Sequence, residues 1–444
     1  MSSVPALDGL QAYREAQQRV AARLPGGTLW HAVRTEALER LLQLGWPTAR
    51  DESWKYVPLR LLEKRVFEAP VPEPLPVDAS ALAQQTLNLE GASRLVFANG
   101  IPVPALSSAA PPGSGVRIAA LGEELARAPE WVRARLPMPG DDPDERLALL
   151  NLAFLADGAD VRIEAGATSA PLYLQFVACG NHRASHPRIL VELEAGARAR
   201  VIEQHITLGE AETFSNSVTD IRLGPNAQLE YLVVAEPGPR SLALGSVRAA
   251  LGTESRLLLH RVLFTGLLNR CSLRADLDGR GAAIDANALL FAAGRGHVEA
   301  HSVIRHRTTD TRSAERFRGV ASERGRGVFN GRIVVEPGAA RSESQQSSRS
   351  LLLSESAEID SRPQLEILHN DVKCSHGATT GQLDPNMLFY LLSRGIDPRT
   401  ARALLIYAFL DDVLARLGHP QLRQQLERRI SATLPDQQRI EEFL

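Results

Sequence analysis

RILVELEAGARARVIEQ (188–204) and VTDIRLGPNAQLEYLVV (218–234) decide the fold. Apolar and polar residues alternate in both, so each strand turns one face into a core, and Gly, Pro or Asn cuts each strand to five or six residues. The same pattern begins near residue 160, in VRIEAGA (161–167) and PLYLQFVACG (171–180). Glycines at strand-to-turn junctions, Gly196, Gly224, Gly252 and Gly281, are spaced by 28, 28 and 29 residues. Each follows a strand such as VELEAG, DIRLG or VRAALG and precedes another such as ARARVIEQ, AQLEYLVV or SRLLLHRV. A fixed period in this range marks a solenoid, because each unit buries its apolar face by stacking on the next. With no helical pattern between the strands, the solenoid is a β-helix. A β-sandwich is the alternative, but it does not require equal spacing.

The flanks read differently. Residues 5–64 have helical periodicity, clearest in TLWHAVRTEALERLLQLG (28–45), and Gly45-Trp46-Pro47 is a stop signal. ESWKYVPLR (52–60) precedes the Pro-rich APVPEPLPVD (69–78), which reads as a linker. RLVFANGIPVPALS (94–107) is a short β segment, and residues 120–157 return to helix. Towards the C-terminus, Asp384-Pro385 starts a helix that stops at Gly395, Asp397-Pro398 starts a second that runs to Gly418, and a third follows Pro420. The expected class is mainly β: an N-terminal mostly helical domain (1–157) with a Pro-rich linker near 69–77, a β-helix core (158–383) and a C-terminal helical domain (384–444). In the second C-terminal helix Leu405, Phe409, Val413 and Leu417 form one i+4 row, and Ile406, Leu410 and Leu414 form another. Such a helix is either packed in a core or presents Leu405, Phe409 and Val413 as a docking surface for another subunit.

Composition excludes several functions. The 444 residues carry a formal net charge of −2, with 44% hydrophobic and 5% aromatic residues. There is no electrostatic bias towards nucleic acid or acidic lipid, and no stock of aromatics for base stacking. The N-terminal MSSVPALDGLQAYREAQQRV lacks the apolar stretch of a signal peptide, and the longest apolar run, LLIYAFL (404–410), is too short to span a bilayer. A cytoplasmic protein is expected. Cys179, Cys271 and Cys374 are odd in number and widely spaced, which fits reduced thiols. The lysines are Lys55, Lys64 and Lys373, none preceded by glycine. A phosphate-binding loop needs Gly-Lys-Ser/Thr, so any ATP hydrolysis in this protein's pathway belongs to another chain.

Several motifs compete as sites. His297-Val-Glu299-Ala-His301 resembles a zinc-binding helix, but it falls in a strand, where residues four apart lie about 13 Å apart. Solvated strand histidines are the expectation. Gly325-Arg-Gly327 is a turn, not a dinucleotide loop. The stretch Arg305–Arg326 holds seven arginines against three acids; it is either an anion-binding surface or, as expected of a single charge run, a solvated edge. Asp411 and Asp412 are about 100° apart on a helix and do not form an acid–base dyad. In NDVKCSHGATTGQLD (370–384), Cys374 and His376 project to one face of an extended strand. Lys373 and the imidazole would lower the thiol pKa. His369 and Asp371 stand nearby, yet His369 is an odd number of residues from both partners, so no third group orients a nucleophile. As a metal site the pair supplies two of four ligands. Three readings remain: half a site completed by another chain, a thiol-dependent acyl or sulfur transferase using Cys374 with His376 as base, or a buried pair without chemistry.

The run LLLSESAEIDSRPQLEILHNDVKCSHGATTGQLDPNMLFYLLSRGI (351–396) resembles the C-terminal signature of the SufB/SufD family, scaffold subunits of the SUF iron–sulfur cluster assembly machinery. ESWKYVPL (52–59), RLVFANGIPVPALS (94–107), LLNLAFLADGADVRI (149–163) and GVFNGRIVVEPGA (327–339) are similar to further family blocks, in the same order. SufB carries Cys-Glu-His-Glu where this chain reads Cys374-Ser375-His376-Gly377, and a cysteine near the position of Ser348. The resemblance is therefore to the SufD branch. It implies a right-handed parallel β-helix between helical domains, in a non-enzymatic scaffold that pairs with a SufB homologue as a heterodimer; in isolation a homodimer is one alternative, which the sequence does not decide. It further implies docking of the ATPase SufC on the C-terminal helices. A transient iron–sulfur cluster, not a stably bound cofactor, would form at the interface with SufB, with His376 as candidate ligand and Cys374 beside it in a less defined role.

Overall fold

The computed structural model describes residues 6–433 apart from 64, 66 and 70–76, so the Pro-rich linker lies almost wholly outside the described residues. Two long parallel sheets face each other, and the chain crosses from one to the other at every half-turn. The first sheet runs from Ile101–Pro102 and Ser93–Ala98 through Leu172–Ala178, Arg198–Thr207, Gln228–Glu236, Arg256–Leu263, Ala283–Ala292, Arg312–Ala321 and Ser342–Leu352 to Val372–Gly381. The second runs from Val116–Ala120 and Gly158–Ile163 to Arg326–Val335 and Glu358–Ile367. This is a parallel β-helix. Two pairings at its start are antiparallel, and the 93–98 and 116–120 strands, from the region read as mostly helical, belong to its sheets.

In register, Arg198, Gln228, Arg256, Ala283, Arg312, Glu343 and Lys373 stack one above the next, so a turn takes between 27 and 31 residues. The repeating glycines are not one structural position. Gly196 and Gly281 adopt the left-handed conformation, with φ of 70° and 71°. In the two turns between them that conformation belongs to Asn226 and Glu254, two residues after Gly224 and Gly252. Gly252 is needed for another reason: a Cβ there would stand 2.7 Å from the Leu223 carbonyl oxygen of the turn below.

The interior changes along the axis. In the middle turns Leu229, Tyr231, Leu257, Leu259 and Ile284 meet Ile221, Leu251, Leu273 and Leu277 in an aliphatic core. In the last turns polar residues join the interior: Ser313, Glu315, Ser344, Gln346 and Ser348 are all buried, beside the apolar Phe317, Phe329, Ile333 and Val335. Hydroxyls bond across them: His306 Nε2 lies 2.8 Å from Ser313 Oγ, which donates to Ser344 Oγ at 2.9 Å.

Helices cover two outer faces. At the N-terminus Ala6–Val20, Gly27–Leu44 and Arg146–Ala153 bury Trp30, Leu38, Leu149 and Phe154 in a shared core. The ESWKYVPL segment lies over the second sheet. Trp54 is fully buried, its Nε1 donates to Asp144 at 2.9 Å, and Arg270 packs 4.1 Å from its ring. His297 and His301 are buried, not solvated. A distant segment shields them, which local strand periodicity cannot reveal.

At the C-terminus, helices Pro385–Ser393, Pro398–Leu414 and Pro420–Thr433 follow, the first two N-capped by the Asp384 and Asp397 carboxylates. Ile406, Leu410, Val413, Leu414, Leu417, Leu422 and Leu426 pack on Ile202, Leu232, Val262 and Phe291 of the first sheet. Arg429 donates to both Glu236 oxygens at 2.7 Å, and the buried Arg318 pairs with Asp412. The expected docking row is thus divided. Val413 is 2% exposed and belongs to the core, whereas Leu405 and Phe409 are half-buried. The reason is helical phase: the sheet claims the face centred on Ile406, Leu410 and Val413. No helix among the described residues is long and apolar enough to cross a membrane.

Candidate functional site

Among the described residues no further strand covers the end of either sheet. Val372–Gly381 is paired on one side with Ser342–Leu352, and Glu358–Ile367 on one side with Arg326–Val335. Most of the last strand is exposed, leaving a row of backbone N–H and C=O groups available for another strand.

Cys374 and His376 stand on this terminal strand and share a face, as two-residue spacing demands. Their surroundings differ. Val372 and Cys374 pack against the aliphatic core, with Cys374 in register over Ser344, while His376 lies over Gln346 and is exposed. Lys373 points the other way and meets Glu343 at 3.3 Å, so it does not activate the thiol. Burial pushes the Cys374 pKa up, partly offset by the Ser344 backbone. The expectation of a lowered thiol pKa therefore fails. Asp371 N donates to His369 Nδ1 at 3.1 Å within the turn before the strand, so His369 serves the turn. Among the described residues no three His, Cys, Asp or Glu side chains come together as a metal-binding group.

The other motifs resolve into structure. Arg305, Arg307, Arg312, Arg316, Arg318 and Arg326 each meet a carboxylate, most on a neighbouring turn: Arg307 with Asp278 at 3.0 Å, Arg316 with Asp285 at 2.6 Å, Arg326 with Asp360 at 3.0 Å. Asp411 pairs with Arg423 at 2.7 Å.

One feature escaped sequence reasoning. The large exposed hydrophobic residues among the described ones are Ile367, Leu368, Met387, Phe389 and Tyr390, all near the open end in sequence. Phe389 is 71% exposed and Met387 55%, and the 385–393 helix buries no residue. The signal was the run MLFYLL (387–392): so short a helix, joined to the end of a solenoid, has too little neighbouring surface to cover six apolar residues.

Residues 176–409 match the family described as SUF system FeS cluster assembly, SufBD core domain. The chain is 32% identical over 403 residues to the iron-sulfur cluster assembly protein SufD of Escherichia coli, covering 90% of this chain and 92% of that protein. It is 30% identical over 409 residues to an iron-sulfur cluster assembly SufBD family protein of Synechocystis, covering 90% of each. With the SufD of Bacillus subtilis the identity is 27% over 286 residues, 64% of this chain and 65% of the relative. The chain belongs to the SufBD family of the SUF iron–sulfur cluster assembly system.

Proposed function

We propose that this SufBD-family chain is a non-enzymatic cytoplasmic scaffold subunit in iron–sulfur cluster assembly, which supplies half of the site where the cluster forms. The open end of the β-helix supports this reading: it presents His376 to solvent, holds Cys374 beside it, and gathers no third ligand from the described residues. The missing ligands come from a SufB-like paralogue whose own terminal strand meets Val372–Gly381, and the cluster is the cargo of the pair. His376 supplies an imidazole nitrogen as ligand. Cys374, with its raised pKa, is a reserve ligand that loses its proton when iron binds. The transferase reading needs a thiolate at neutral pH and is disfavoured by the same shift.

ATP hydrolysis belongs to a SufC-type partner. The docking surface is better assigned to the 385–393 helix together with Leu405 and Phe409 than to Val413, which is spoken for by the core. In a complex reconstituted from separately purified subunits, His376→Ala abolishes or strongly slows cluster build-up while co-elution of the subunits persists. Unchanged build-up would remove the ligand assignment.

A further inference from the structure

Beneath His376 the interior column reads Gln346, then Glu315, in direct parallel register. Gln346 is 1% exposed. Its Nε2 donates to Glu315 Oε2 at 2.7 Å, which fixes the amide orientation, and its Oε1 has no hydrogen-bond partner among the described residues. An orphaned buried carbonyl oxygen costs about 1–3 kcal/mol, so a partner for it has to be sought. The neighbour on the open side is the His376 position, one strand spacing of about 4.8 Å away with its side chain on the same face.

Glu315 is held in turn. Arg261 Nη2 lies 3.7 Å from Glu315 Oε1, and Arg261 Nη1 donates to the His301 carbonyl at 2.9 Å across the interior. Space for the pair is made by Gly331 on the opposite sheet, where a Cβ would stand 2.4 Å from Gln346 Nε2 and 3.0 Å from Glu315 Oε2. Polar burial, a fixed amide and a glycine cradle converge on one unpartnered oxygen in the turn directly beneath His376.

We propose that Gln346 is a positioning residue of the half site: its Oε1 accepts the N–H of the His376 imidazole, which leaves the other ring nitrogen bare and directed at the metal. Glu315 holds Gln346 in that orientation. Ligating histidines commonly donate their second N–H to such an acceptor, which sets tautomer and ring direction, and loss of the acceptor costs about 10–100-fold in affinity or activity. This inference rests on the reading of His376 as a cluster ligand.

The test compares His376→Ala, Gln346→Leu and the exchanged pair Gln346→Glu with Glu315→Gln in the reconstituted complex, by cluster build-up and by 15N hyperfine coupling in the reduced cluster after labelling histidine in this chain alone. The exchange keeps an oxygen acceptor beneath His376 and an amide–carboxylate hydrogen bond behind it. Gln346→Leu is expected to slow build-up about 10–100-fold and to change or abolish the coupling, and the exchanged pair to restore both to within about threefold. If His376→Ala is silent, the ligand reading itself falls. If His376→Ala is damaging but Gln346→Leu matches the wild type, the positioning role falls alone. Damage in Gln346→Leu that the exchanged pair does not rescue, with an equal loss of thermal stability in both, assigns Gln346 to packing and also overturns the proposal.

Discussion

The middle and last turns of the solenoid share one backbone plan and differ in what fills it. Around Leu229, Leu257 and Leu259 the interior is aliphatic and closed at both ends by further turns. Around Ser313, Glu315, Ser344 and Gln346 it is polar, hydrogen-bonded across strands, and open at the 372–381 strand. Burying hydroxyls and amides contributes less stability than burying leucines, since each bond replaces one with water and nets only about 1 kcal/mol. The last turns are built to present groups in fixed orientation, and the turns behind them to stay folded.

The largest effect expected from that contrast is on stability. Leu259→Ala, at a fully buried position, should cost roughly 2–5 kcal/mol in denaturant unfolding, and Ser344→Ala about 1 kcal/mol. Equal losses would erase the distinction. Acid should act on the polar interior next, through His306. Burial depresses the His306 pKa from 6.5 to about 4, so the unfolded chain binds a proton that the folded chain refuses between those values. Stability is then complete above pH 6.5 and falls as the pH drops towards 4, by roughly 2 kcal/mol at pH 5 from this group. An unfolding midpoint as sensitive to acid in His306→Gln as in the wild type would contradict it.

Smaller effects separate presentation from folding. Phe389→Ser should change unfolding free energy by no more than about 0.5 kcal/mol yet weaken capture of the proposed SufC-type partner. Retained capture would place that interface elsewhere. The Cys374 thiol should alkylate slowly at pH 7 and about tenfold faster with each pH unit below its raised pKa. Fast, pH-independent alkylation would revive the transferase reading.

Much of this organisation is written locally. Period-2 strands, a turn length near 28 residues and the aspartate caps at 384 and 397 depend on short-range chemistry and can be read directly. The conformation at each turn is less transparent, because Asn226, Glu254, Gly196 and Gly281 all satisfy one left-handed position and glycine alone does not mark it. What stays hidden is contact across long sequence distances. Trp54 covers the sheet that carries His297 and His301, and helix packing on the other sheet removes Val413 from any docking face. SESQQSSRS (342–350) has the composition of an exposed edge, yet its alternate residues point inward, since alternation identifies two faces without saying which is wet. The importance of Gln346 follows from the partner it lacks, and no motif records that.

The central claim is that this chain places a histidine on the cluster. The most direct measurement labels histidine with 15N in this chain alone, assembles the complex with unlabelled partners, builds the cluster and records the hyperfine spectrum of its reduced state. Ligation by His376 gives a 15N coupling that disappears in His376→Ala; a cluster formed at normal yield with no 15N coupling would contradict it.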